Sequence, residues 1–343
     1  MQCRIINNTD REWLRVINNS YADFYHLPCY TNIEGAILSG KGHAYYIRDS
    51  NNYILVPFVK RKIQFAVSDE NSYDAVSPYG YPGMLYSNNR SLDILELLNK
   101  IKKCGEEFGL VSSFIRLNPF NDNIQFESSE DIRFIKIGYT VAVNCEKNLN
   151  DIFCEFSTNH KKNIKKLNRL GFKIEVDNWI DFGAFQEIYI ETMKRVNAKR
   201  YYYLSEQYFN GLRSCLKNNI HLITVKSAEG VIASAGLFSS YNSISHSIFS
   251  STNSLFIKHA PSKLLFYGMI KWCNENNVRL LNLGGGVGAQ KDSLYQFKLG
   301  FGKEIFPFNG IGIIHDINVY KELESNYSKN TENYNYFPCY RAT

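Results

Sequence analysis

The stretch LNLGGGVGAQ at residues 281–290 sets Gly284, Gly286 and Ala289 in the G-x-G-x-x-A frame of a dinucleotide-binding turn, behind a strand-forming run from Arg279 to Leu283. A nicotinamide or flavin site also needs a full crossover helix and a strand carrying an acid about 20 residues further on. Glu304 stands at that distance, but the segment between holds a further glycine pair, GFG, and no crossover-length helix. The glycines suit a sharp turn at a strand end, where backbone can come close to a ligand. GAILSGKG (35–42) fits G-x-x-x-x-G-K, yet Gly42 replaces the Ser or Thr that would hold magnesium and the segment reads as helix, so ATP hydrolysis has no support. The seven histidines show no paired ligand spacing and the eight cysteines no C-x-x-C, so no metal is expected.

Two other stretches carry chemical potential. HKKNIKKLNRLG (160–171) gathers Lys161, Lys162, Lys165, Lys166 and Arg169, with Ser157 or Thr158 as N-cap, Gly171 as terminator and an apolar stripe of Ile164, Leu167 and Leu170. It is a basic amphipathic helix, read either as a solvated face or as an element facing a phosphate-rich substrate. SPYGYPG (77–83) has Pro78 and Pro82 as turn setters, Gly80 and Gly83 free to take positive φ, and Tyr79 and Tyr81 with hydrogen-bonding tips. That loop suits sugar or peptide recognition, or it is a structural turn with packed tyrosines. Candidate general bases are His246, Asp74 and Asp292, although a proton from an attacking amine can also leave through water.

The elements that position these residues follow from periodicity. The first half reads as strand, two helices, two strands, the SPYGYPG segment, a helix at 92–109 and two more strands. The second half, after the basic helix, reads β-α-α-β-β-β-α-β-α-β. That is an antiparallel meander flanked by helices, whereas a doubly wound nucleotide fold alternates strand and helix throughout. A length of 343 residues, 44% hydrophobic and 15% aromatic, fits two globular domains. The N-terminus has no apolar h-region and no run approaches the ~18 apolar residues of a membrane span. With scattered thiols, this predicts a cytoplasmic protein with no transmembrane segment. The net charge of +6 suits an anionic ligand and does not demand DNA.

The order of elements resembles the GNAT acyltransferase fold, and the whole chain resembles the FemABX-type aminoacyl or acyl transferases, which carry two GNAT-like domains in tandem. The resemblance rests on YDAVSPYGYPG (73–83), residues 139–174 across the basic helix, HAPSKLLFYGMIKWCNENN (259–277) and LNLGGGVGAQKDSLYQFKLGFG (281–302), and extends from about Ile6 to Phe308. It implies an α/β fold of mixed sheets, an N-terminal GNAT-like domain over 1–148 on the acceptor side, and a second over 149–343 with the basic helix 159–170 along their junction. In the family a Phe-Lys pair after the glycine turn lies at the reacting centre, and Phe297-Lys298 occupies that position. A fixed ammonium beside an oxyanion lowers the barrier to amine attack on an ester or thioester, which suits Lys298.

Two departures bear on the donor. The R/Q-x-x-G-x-G/A turn of coenzyme A enzymes is replaced by NSLFIKHAPSKLL, where Lys258, His259, Ser262 and Lys263 offer charge and donors without a glycine cradle. The family's R-x-x-I becomes Lys161 before Ile164, which keeps charge and loses bidentate phosphate recognition. The expectation is an enzyme with no bound cofactor that moves an acyl or aminoacyl group from acyl-coenzyme A or aminoacyl-tRNA to an amine of a cell-envelope precursor. Charged tRNA is then a partner, and a lipid-linked acceptor brings peripheral membrane association. Substrate binding is assigned to Asp74, Tyr79, Gly80, Tyr81, Lys161, Gly284, Gly285 and Gly286, donor binding to Lys258, Ser262 and Lys263, and catalysis to Lys298, Phe297 and His246. The alternatives are an acetyl-coenzyme A-dependent sugar N-acetyltransferase and a non-catalytic carbohydrate- or RNA-binding module.

Overall fold

The computed structural model describes all residues except 50–51, 65–71, 88–92, 123, 328–335 and 343. Contacts divide the chain into two units, Met1–Ile137 with Phe308–Thr343, and Gly138–Pro307. The first begins with β1 (Gln2–Asn7), α1 (Arg11–Asn18), α2 (Pro28–Ile37), β2 (Gly40–Asp49), β3 (Asn52–Lys62), β4 (Tyr73–Val76), β5 (Leu85–Tyr86), α3 (Ile94–Glu107) and β6 (Leu110–Arg116). β7 (Ile132–Asn144) leads to α4 (Leu149–Glu155), α5 (Thr158–Arg169), β8 (Lys173–Val176), α6 (Phe182–Arg195) and α7 (Glu206–Leu216). The second unit continues through β9 (Ile220–Lys226), β10 (Ile232–Tyr241), β11 (Ile244–Thr252), α8 (Ser262–Glu275), β12 (Leu280–Gly284) and α9 (Ser293–Leu299). β13 (Glu304–Ile314) and α10 (Ile317–Tyr327) follow.

Both units use one strand pattern. The first orders its strands β1-β2-β3-β4-β6-β13, antiparallel except for β4 with β6. The second orders them β8-β9-β10-β11-β12-β7, antiparallel except for β11 with β12. These are the mixed sheets expected of GNAT-like folds, and the element order after the basic helix is the one read from the sequence.

The expected division at 148/149 needs correcting. Each sixth strand comes from outside its unit's own run: β7 precedes the other strands of the second unit, and β13 follows them all. Pairing explains it. The free edge of β6 takes Gly310–Ile314 as its partner, which buries Ile311, Ile313 and Ile314. In the second unit, Val141–Asn144 cover β12 in the same way. Residues 308–343 therefore belong with the first unit.

Local signals account for the smaller differences. α2 starts at Pro28, whose fixed φ suits a first helical position. α4 is seven residues long, too short for a periodic stripe, and is started by the Asn148 side chain accepting from the Asn150 N–H. The core of the second unit packs Leu264, Leu265, Met269 and Cys273 of α8 with Ile164 and Leu167 of α5 and Val225 and Leu281 of the sheet. Leu170, the third member of the expected stripe, is 44% exposed. In the first unit, Leu97, Leu98 and Ile101 of α3 pack with Tyr45, Ile47, Val56, Ile311 and Ile313.

A buried carboxyl fixes the end of the SPYGYPG loop. Asp122 accepts from the Asn118 N–H (2.8 Å) and the Met84 N–H (3.1 Å), beside Gly83 at φ +61°. Burial pushes its pKa up to about 7, although both N–H groups oppose the shift. An unfolded Asp titrates near ~3.9, so ionisation in the folded state opposes folding. Its stability contribution is best below that value and is lost as pH rises towards about 7. Asp122→Asn should flatten this decline, read by urea unfolding at a series of pH values. A decline as steep as in the wild type would refute it.

Candidate active site

The sheet of the second unit parts at one place. β11 and β12 pair only over Ile244–His246 and Leu280–Asn282. Beyond that point β11 stays with β10 through a bulge, since Leu237 faces Phe249 and Phe238 faces Ser247, so that Ile248 is the extra residue on β11. β12 turns to β7 and ends at Gly284, whose φ of +79° strongly favours glycine. The buried Asn282 holds the junction. Its Oδ1 accepts from Thr140 Oγ1 (2.6 Å) and the Gly284 N–H (2.8 Å), and its Nδ2 donates to His246 Nδ1 (3.1 Å). His246 is thus a buried support for Asn282, with Nδ1 occupied, which withdraws it as a base on the substrate.

The glycine loop is packed against itself. A Cβ on Gly285 would strike the Tyr139 carbonyl, and one on Gly286 would strike the Gln290 carbonyl and the Asp292 carboxylate. Asp292 accepts from the Tyr295 N–H and the Val287 N–H, both at 2.9 Å, and joins the loop to the start of α9. Those backbone donors, the Tyr295 N–H foremost, hold its carboxyl below the usual range. That bonding suits it to a structural task rather than to proton abstraction.

Lys298, in the last turn of α9, donates from Nζ to the Gly285 carbonyl at 2.6 Å. The side chain is half-buried, and desolvation pulls its pKa down to about 8 against the opposing charge of Asp292. Phe297 points the other way, edge-on to Phe266 and Phe301 with ring centroids 5.4 Å apart in each pair. It anchors the turn from which Lys298 projects. His160 was not among the residues indicated by the sequence: its Nε2 donates to the Phe297 carbonyl (2.9 Å), and its ring lies 4.2 Å from that of Phe301. Burial holds the imidazole below its usual pKa. The available signal is the Ser157 N-cap three residues earlier, which fixes how this turn of α5 presents its side chains.

The donor-side residues gather near the start of α8. Lys258 is exposed on a 3-10 turn, Ser254–His259, and Ser262 opens the helix. Lys263 Nζ is bonded to Asn159 of α5, and burial lowers its pKa. The N–H groups of Lys263, Leu264 and Leu265 turn back to the carbonyls of Ala260 and Pro261. Lys161 Nζ donates to the Cys154 carbonyl (2.9 Å) and caps α4, which ties its head to that helix and spends one of its three donors.

The acceptor-side residues lie in the first unit. Asp74 is fully buried, with both oxygens taken by Arg61 (2.9 and 3.1 Å) and one also by Arg341 Nε (2.9 Å). It is a structural ion cluster, so its assignment to substrate does not hold. Tyr79 is 45% exposed on a loop fixed through its own backbone, its N–H donating to Glu34 and its carbonyl accepting from Tyr30. Gly80 has φ +103°, and a Cβ there would collide with the Tyr25 ring. Tyr81 is half-buried, edge-on to Phe308 at 4.8 Å.

Residues 155–298 match the family model of an acetyltransferase (GNAT) domain. Among solved structures, FemX superposes with a TM-score of 0.70 at 13% identity, covering 94% of this chain and 100% of that one. L-PGS from Bacillus licheniformis gives 0.54 at 13% identity, covering 93% and 97%. The C-terminal domain of a putative lysylphosphatidylglycerol synthetase from Agrobacterium fabrum gives 0.55 at 11% identity, with 93% and 97% covered. Curated protein sequences return no match. The domain match thus places a GNAT acetyltransferase domain in residues 155–298, and the structural match shows the fold of FemX over nearly the whole chain. The resemblance to FemABX-type proteins is thereby borne out at the level of the fold. Among the described residues, no helix is long and apolar enough to cross a membrane.

Because the Lys263 and Leu264 N–H groups in the first turn of α8 bond back to the Ala260 and Pro261 carbonyls, coenzyme A is expected to bind weakly and through lysines. Calorimetry should show an affinity weaker than micromolar that falls further with salt. Tight, salt-insensitive binding would contradict this.

Proposed function

We propose that this acyltransferase forms an amide by moving an acyl or aminoacyl group onto an amine of a cell-envelope precursor, either a peptidoglycan peptide or an amino sugar of a surface polysaccharide. The observation that carries the reading is the half-buried Lys298 ammonium, fixed on the Gly285 carbonyl beside the parted strands. An ammonium has three donors and Gly285 takes one, which leaves N–H groups for a developing oxyanion. The amine attacks the ester or thioester carbon, a C–N bond forms, and the carbonyl oxygen takes negative charge beside Lys298. Collapse then breaks the C–O or C–S bond, the leaving group takes a proton, and the amine's surplus proton passes to water. Water suits that last step because His246 and Asp74 are both buried and engaged.

Aminoacyl-tRNA is the favoured donor, on the N–H groups of α8 that bond back to carbonyls and the lysines around them. One structural neighbour is titled a putative lysylphosphatidylglycerol synthetase, a name that denotes an aminoacylated lipid, which fits aminoacyl transfer at the cell envelope. The exposed Tyr79 ring is the proposed acceptor contact in the first unit.

A mass-spectrometric screen of aminoacyl-tRNA and acyl-coenzyme A donors against envelope precursors identifies the substrates. With that pair, Lys298→Met should lower turnover by about a hundredfold or more, the scale for losing one oxyanion donor. Rate should also fall as pH rises through about 8, where the ammonium deprotonates. Lys298→Arg, which stays charged, should lose that limb. Equal turnover in wild type and Lys298→Met would remove Lys298 from the mechanism, and no turnover with any pair would favour a binding module.

A further inference from the structure

The 3-10 turn Ser254–His259 exposes two aliphatic side chains, Leu255 at 80% and Ile257 at 45%. The turn itself is fixed. Asn253 accepts from the Leu255 N–H and donates to the Ile232 carbonyl, both at 3.0 Å, and the Ala260 N–H closes on the Ile257 carbonyl at 2.9 Å. Its inner side is anchored as well: Phe256 and His259 pack on Phe172 at 5.9 and 5.8 Å, and the His259 carbonyl accepts from Asn163 of α5. Leu255 and Ile257 are therefore held out in water by a turn that already has its own core contacts.

The two chain segments that form this face carry charge of one sign. Residues 156–174 and 253–274 contain no Asp or Glu. Lys258, Lys162 and Lys166 are exposed. Helical spacing puts Lys162 and Lys166 on the flank of α5 that carries Asn159 and Asn163, the two residues bonded to Lys263 and to the His259 carbonyl. Leu170 lies on the same flank.

We propose that this face of the second unit, the Ser254–His259 turn with Lys162 and Lys166, docks on an anionic lipid surface. Leu255 and Ile257 enter the interfacial layer, while Lys162 and Lys166 pair with headgroup phosphates. RNA would use the same lysines but would give the two aliphatic side chains nothing to enter, so the lipid surface accounts for both observations. Docking requires no turnover and stands apart from the transfer chemistry.

The test is sedimentation of the full chain with vesicles of phosphatidylglycerol in phosphatidylcholine, against phosphatidylcholine alone. Wild type should partition at least ~10-fold more strongly to the anionic vesicles, and the difference should shrink with salt. Leu255→Ser with Ile257→Ser should lower that partition by about tenfold or more at fixed salt with an unchanged melting temperature, because both side chains are exposed. Lys162→Gln with Lys166→Gln should lower it by a similar factor and weaken the salt dependence. Failure of the wild type to bind anionic vesicles would overturn the proposal, as would undiminished binding by the double Ser variant. Binding of tRNA alone, equal in wild type and double Ser variant, would assign the face to RNA and overturn it too.

Discussion

The carboxamide of Asn282 decides where the second sheet opens. A buried amide left without partners costs roughly 1–3 kcal/mol, and this one is satisfied by Thr140 from β7, His246 from β11 and the Gly284 backbone of its own strand. Those three bonds set the end of the β11 and β12 pairing and start the glycine loop. Lys298 is in turn oriented by the Gly285 carbonyl of that loop. One neutral side chain thereby fixes the position of the charged one.

Electrostatics at the loop divide the same way. Asp292 spends its carboxylate on backbone N–H groups, so its charge reaches Lys298 only as a partial offset to desolvation. The ammonium stays half-buried and less basic than a surface lysine. Phe297 and His160 hold the other side of the turn with tilted and edge-on ring contacts and one hydrogen bond to a carbonyl. The reacting region is thus fixed mainly by neutral contacts, and Lys298 keeps donors to spare.

Much of this was legible in the sequence. Period-2 and period-3.6 patterns gave the element order of the second half, and the glycines of 284–286 marked a turn that only glycine can make. Strand exchange was not legible, because the apolar pattern of β13 shows that it is buried without showing which edge it joins. Asp74 and His246 were misjudged for a related reason. A polar residue in a strand looks the same whether it faces a ligand or a buried partner, and the partners of Asp74 stand 13 and 267 residues away. Asn282 and His160 were hidden because a single amide or imidazole in a regular element carries no periodic mark.

Strand exchange also has a consequence during synthesis. The chain emerges from its N-terminus, yet the edge of β6 waits for Gly310–Ile314, which are made after every strand of the second unit. The unit begun first is thus completed last, after the ribosome has delivered the whole of its neighbour. Throughout that interval β6 shows an unpaired edge next to a half-formed core, the kind of surface that templates aggregation. Nascent chains should therefore depend on a holding chaperone until the final strand arrives, and a ribosome stalled between β12 and β13 would strand the N-terminal half in its most adhesive state.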